Sequence, residues 1–298
     1  MTNQFPVSED ISRAWTEIAQ GARLSHRAFS SVGDPAPGSN FTLINAIYPW
    51  EKASDWSRSY IDAAYEHLIH WADFVAPFRF HPEQRVRQTL RPAYTLSRAA
   101  LEASAQALWM LEGGSAKECA RRHLSLVRWD FHEHHASKTT PEDKKTVKDR
   151  EATLVEQSSG DFTEVETRKP DGGYLGIIHK AAKLIERRPA DLDRIWRAAS
   201  GAAHGKNWPS TDLQIVVPGE EYEPGQFRAI RIPDADGMTE VLTAAYDMTS
   251  RASLRYADHA GADIQANINE ARRWLADQIT LKEDADPEAL RRLRGDAE

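Results

Sequence analysis

Between Asp55 and Phe78, seven apolar residues (Trp56, Tyr60, Ala64, Leu68, Trp71, Val75 and Phe78) recur in steps of three and four. That spacing lays all of them on one side of an α-helix and would scatter them over both faces of a β-strand. A helix with so broad an apolar stripe is stable only when other helices cover it. The same period recurs along the chain. Ile11, Trp15, Ile18 and Ala22 predict a helix from Ser8 to about Phe29, with Glu9 and Asp10 in the first turn, where the helix dipole favours acids. The stretch RPAYTLSRAALEASAQALWMLEGG predicts a helix beginning near Pro92 and stopping at its paired glycines. Ser115 and Glu118 match a capping box that opens a further helix running to about Ala136.

Two segments break the pattern. SSVGDPAPGSN offers turn residues and no periodic face, so it reads as a loop. LQIVV and FRAIRI are rich in β-branched residues and flank a Pro/Gly/Glu stretch, which predicts a small hairpin near 212–232. The charged region KTTPEDKKTVKDREATLVEQSSGDFTEVETRKPDGG reads as an exposed helix and an irregular connection with no core of its own. Helical period returns with Val241, Ala245, Met248 and Ala252, and again in IQANINEARRWLADQI. The expected fold is therefore mainly α, a helical bundle with a small β-hairpin insertion. It divides into an N-terminal helix and loop over 1–41, a helical-bundle domain over 42–280, and a charged C-terminal tail over 281–298.

Composition bounds what this bundle can do. A hydrophobic share of 41% with nine tryptophans supports a folded core. The single cysteine, Cys119, excludes an intrachain disulfide and a cysteine-rich zinc site. No stretch has the length and apolarity of a signal peptide or a membrane span, so a cytoplasmic protein without membrane association is expected. The net charge of −7 argues against a general nucleic-acid coat, because phosphate neutralisation supplies most nonspecific affinity. A local strip remains open, since Arg79, Arg85, Arg87, Arg91 and Arg98 stand against one acid, Glu83.

The segment RIWRAASGAAHGKNWP carries the chemistry. Arg197 and His204 lie two helical turns apart and would project from nearly one face, with the small residues Ser200 and Gly201 between them leaving room for a phosphate or a partner helix. A guanidinium grips phosphate oxygens and an imidazole exchanges protons near neutral pH. Lys206, Asn207 and Trp208 follow, where they would edge such a site. In a neighbouring alanine-rich helix, Arg98 and Glu102 stand one turn apart. They are either a polar cluster beside this helix, with Glu102 orienting a cation and Arg98 adding phosphate affinity, or an internal salt bridge fixing helix register.

Arg197, six intervening residues and His204, set in a helical bundle, resemble the signature of the HEPN superfamily. That resemblance implies a metal-independent endoribonuclease acting in stress response or defence. Arg197 would contact the scissile phosphate, His204 would assist attack by the RNA 2′-hydroxyl, and a homodimer would be the active form. Active members commonly carry a polar residue directly after the arginine; here that residue is Ala198. On the residues alone a structural role stays open: Gly205 ends the helix, His204 sits in its last turn and Arg197 makes an ordinary ion pair. The alternative function is a non-catalytic helical module that binds a nucleotide or a protein partner. His132 and His135 beside Asp130 and Glu133, and His67 with His70, have helical spacing open to a metal but match no zinc motif, so no metal or cofactor is expected. Trp71, Trp109, Trp129 and Trp196 fall at core spacing and are assigned to packing.

Overall fold

The computed structural model describes residues 7–78, 89–279, 288 and 291. Eleven α-helices, one 3-10 turn and one two-stranded ribbon make up the elements of the described residues: α1 (Glu9–Ser30), α2 (Asn40–Ile47), α3 (Ala53–Val75), α4 (Leu90–Leu111), α5 (Ala116–Ser137), α6 (Pro141–Ser158), α7 (Gly173–Ala182) with the 3-10 turn Lys183–Ile185 after it, α8 (Pro189–Ala203), α9 (Pro209–Asp212), β1 (Gln214–Glu223), β2 (Gln226–Pro233), α10 (Ala235–Ala260) and α11 (Ile264–Gln278). The mainly-α bundle with a hairpin is thus the observed fold. Of the basic strip, Arg79, Glu83, Arg85 and Arg87 lie outside the described residues, as does nearly all of the tail over 281–298. No helix among the described residues is long and apolar enough to cross a membrane.

Helix α4 is the centre of the bundle. From Ser104 to Leu111 every residue is buried, because α3, α10, α8, α7 and α5 all pack around it. The period read in the sequence serves this packing: Ile61, Ala64, Leu68 and Trp71 of α3 and Val241, Ala245, Met248 and Ala252 of α10 are all buried in one apolar cluster. Trp15, Ile18, Ala22 and Phe29 of α1 belong to the same cluster. Full burial of side chains of this size contributes roughly 1.5–3 kcal/mol each, which is what holds an alanine-rich helix such as α4 in place.

Local signals set the boundaries. Ser8 and Ser115 accept the amides of Ile11 and Glu118, capping α1 and α5. Only half of the expected capping box forms at α5, since the Glu118 carboxylate accepts from Arg121 and Arg122. Thr140 caps α6, with Pro141 in its first turn. Region 138–173 does reach the interior, contrary to the expectation that it has no core: Val147, Leu154 and Phe162 are buried. Three apolar residues spread over sixteen positions are too few to register as a period, yet enough to seat one helix.

The hairpin pairs Ile215 with Ile232 and Val217 with Ile230 in antiparallel register. Its turn is formed by Pro224 and Gly225, so the expected Pro/Gly/Glu loop is shorter than read: Pro218, Gly219 and Glu220 remain within β1. A proline persists there because the pairing is irregular between Pro218 and Glu221, and both strands are edges.

Candidate functional site

Helix α8 ends where the sequence suggested. Gly205 adopts φ +68, a left-handed conformation suited to glycine, and His204 is the C-capping residue with its amide on Ser200 O at 3.0 Å. This exposes His204 at the helix end. Its neighbours Ala203 and Gly205 line an open groove of about 420 Å³ whose other wall is the start of α4, with Arg91, Thr95 and Leu96, and His70 of α3.

His204 belongs to a polar cluster built across α4 and α8. Arg98 Nη1 lies 3.4 Å from His204 Nε2. A guanidinium only donates, so this contact is a hydrogen bond when Nε2 is the unprotonated nitrogen of the ring. Arg98 is itself fixed: its Nε donates to Glu102 Oε1 at 2.8 Å, and its guanidinium lies over the Trp196 ring, 5.2 Å from the centroid. Trp196 Nε1 donates to the same Glu102 oxygen at 2.7 Å. Glu102 therefore anchors a cation from its own helix and an indole from the next. Tyr174 at the start of α7 adjoins the cluster, and its phenol is raised by burial and by the Glu102, Glu133 and Asp130 carboxylates, so it remains a donor at neutral pH.

Arg197 is placed differently. Its Nε donates to Asp193 Oδ1 at 3.0 Å, one turn back on α8, and 61% of its side chain is exposed. Asp193 Oδ1 also lies 4.0 Å from His179 Nε2 of α7. The described contacts thus bring Arg98, Glu102 and His204 together and give Arg197 to a separate ion pair. Ser200 is half-buried and contributes its carbonyl to the His204 amide, while Lys206 and Asn207 are exposed just beyond the helix.

The small residue at 201 serves packing. A Cβ on Gly201 would stand 2.8 Å from the Trp208 ring and 3.0 Å from Pro209, so the space expected to receive a phosphate is filled by the chain folding back on α8. Trp208 therefore covers Gly201.

Arg91 is a neighbour of this helix end that spacing along α8 could not reveal. Its Nη1 donates to Ala202 O at 2.7 Å, with Nη2 at 3.4 Å from Lys206 O and from Ser210 Oγ. It neutralises the carbonyl end of α8 beside His204. The signal was present in α4 itself, where Arg91 and Arg98 are two turns apart and both face α8.

The rival histidines do not assemble. Among the described residues, no group of three His, Cys, Asp or Glu side chains is placed to hold a metal ion. Cys119 is buried and its thiol is raised by that burial, which suits a packing role. Trp71, Trp109 and Trp129 are buried, and Trp196 packs half-buried against the core. Comparison of the whole chain with family models, curated proteins and solved structures gives no match in any of the three.

Proposed function

We propose that this protein is a metal-independent endoribonuclease of HEPN-like type that works as a homodimer, with His204 as its proton-transferring group. What supports this most is the exposed imidazole of His204 held 3.4 Å from the Arg98 guanidinium, its chain neighbours Ala203 and Gly205 lining an open groove. Proton transfer near neutral pH and a phosphate-binding cation are the two functions that RNA cleavage without a metal demands. The RNA 2′-oxygen attacks phosphorus as its proton passes to the base, and the bond to the 5′-oxygen breaks as that oxygen takes a proton from water, the hydroxide left behind being neutralised by the proton on the base. The products carry a 2′,3′-cyclic phosphate and a 5′-hydroxyl. The His204 imidazole supplies the base. Arg98 and the exposed Arg197 supply charge for the phosphate oxygens, Glu102 holds Arg98, and the Ser200 to Asn207 segment borders the RNA strand. A role in stress response or defence follows from the family resemblance alone.

A second reading, a non-catalytic module binding a nucleotide or a protein partner, is favoured by Arg197 being engaged with Asp193 and followed by buried Ala198. End-labelled mixed-sequence RNA incubated with protein in excess chelator separates the two. Wild-type protein is expected to leave cyclic-phosphate ends, and His204→Ala and Arg98→Ala to lower cleavage by about 10²-fold or more, both remaining folded by circular dichroism. Intact RNA with wild-type protein, or equal cleavage by His204→Ala, would remove the nuclease reading and leave the binding module.

A further inference from the structure

On the side of α8 that carries Arg194, Ile195 and Ala198, a separate cavity of about 380 Å³ opens between α4, α8, the α9–β1 junction and the start of α10. Four carboxylates line it (Asp212, Asp234, Asp236 and Glu240) against one guanidinium, Arg194, which is held by Glu240. Asp212, Asp234 and Asp236 have no cationic partner among the described residues. One other group faces this cavity. Tyr94 of α4 is only 2% exposed, and no hydrogen-bond partner for its hydroxyl is found among the described residues.

The absence of a side chain at 237 shapes the inner end. An added Cβ on Gly237 would stand 2.9 Å from Tyr94 Oη and 2.8 Å from Asp234 Oδ2, so both oxygens border the same small space. Asp234 spends its other oxygen, Oδ1, on the Asp236 amide as the cap of α10. The Tyr94 ring is buried while its hydroxyl opens on the cavity, so a ligand or solvent held there can serve that oxygen. Burial, followed by the Asp234 and Glu240 charges, raises the phenol far above neutral pH, so Tyr94 offers oxygen lone pairs and a proton without a charge of its own.

A compact metal ion does not suit these carboxylates, since no three of the described acidic, histidine or cysteine groups converge on one point. They are distributed around a wall that also presents Ile195, Leu213 and Val241. Separated anionic positions joined by apolar surface match a cation whose charges are separated by methylenes. We infer that this cavity binds an aliphatic diamine or polyamine, with one ammonium donating to Tyr94 Oη and Asp234 Oδ2 and a second near Asp212 and Asp236. The volume lies in the range of small-molecule sites, about 300–1,000 Å³.

Isothermal titration calorimetry of the full chain with spermidine and with putrescine tests this, n-butylamine and MgCl2 serving as comparison ligands. Expected is saturable binding of at least one of the two polyamines at about 0.15 M salt, with n-butylamine at least about tenfold weaker. Gly237→Ala, which pushes Tyr94 and Asp234 apart while placing a good helix former in α10, is expected to weaken binding about tenfold. Asp236→Asn, an exposed change that leaves the core untouched, is expected to weaken it severalfold. Absence of saturable binding would overturn the inference. So would unchanged affinity in both variants, or displacement of spermidine by equimolar Mg2+, which would mark simple charge attraction.

Discussion

Lowering the pH from 7 to 4 is expected to cost the folded protein about 3 kcal/mol through His123 alone. This histidine of α5 is enclosed against Trp56, with ring centroids 5.8 Å apart, and only 1% of it is exposed. Its Nε2 donates to Glu51 O at 2.7 Å, whereas Nδ1 is buried without a partner, so a second proton would find no acceptor. Burial therefore pulls the imidazole down to about 4, against smaller opposing effects of the Glu51 carbonyl and the Asp55 charge. In the unfolded chain a histidine protonates near 6.5, so below that pH the unfolded state takes up a proton that the folded state refuses. The stabilisation is complete above about pH 6.5, declines as pH falls, and is exhausted below about 4. His26 and His259 are also lowered, chiefly by burial, and act in the same direction. Glu118, held down to about 2 by Arg121 and Arg122, loses its contribution only in stronger acid, between its ordinary value of 4.5 and about 2. Urea unfolding at several pH values between 7 and 4.5 is the measurement. His123→Gln should flatten most of the wild-type decline over that interval, and an identical decline in the variant would assign the acid sensitivity to other groups.

What the sequence disclosed and what it withheld divide along the range of the interactions. The long helices were legible because Trp56, Leu68, Trp71, Val241 and Met248 obey a period that only helices satisfy, and because Ser8 and Ser115 act within three residues of themselves. The end of α8 at Gly205 was legible for the same reason. Helix α2 was not, since eight residues with two buried positions, Phe41 and Ile44, give no repeat to detect. The candidate site was half legible: Arg98, Glu102 and His204 could each be singled out, but which guanidinium meets the imidazole depends on how α4 crosses α8. That crossing joins residues 106 positions apart, and it brings Arg98 rather than Arg197 within 3.4 Å of the ring. Tyr94 with Gly237, and Gly201 with Trp208, are likewise products of packing that no spacing rule reports.

Glu102→Ala is the substitution in which stability and the proposed activity should fail together. The Glu102 and Arg98 side chains are 15% and 20% exposed, so the pair is partly desolvated and the charge left behind has limited access to water. Removing the carboxylate strands the Arg98 guanidinium and deprives Trp196 Nε1 of its acceptor. Breaking a fully buried pair costs about 3–5 kcal/mol, and the residual exposure here reduces the expectation to about 2–3 kcal/mol. Glu102→Gln separates the contributions. The amide oxygen, set where Oε1 stands, can still accept from both donors, so the loss should fall to about 1–2 kcal/mol, the two hydrogen bonds persisting and the charge attraction disappearing. The consequence for His204 is geometric: with its Nε anchor gone, Arg98 is free to leave the Trp196 ring and the imidazole. If the cluster serves cleavage, Glu102→Ala protein that is still folded at low temperature should lose RNA cleavage by about 10²-fold, and Glu102→Gln should recover part of it. A Glu102→Ala protein as stable as wild type would show that the cluster adds nothing to stability. A destabilised variant that cleaves RNA as fast as wild type would confine Glu102 to holding α4 against α8, and would move the positioning of Arg98 to the Trp196 ring.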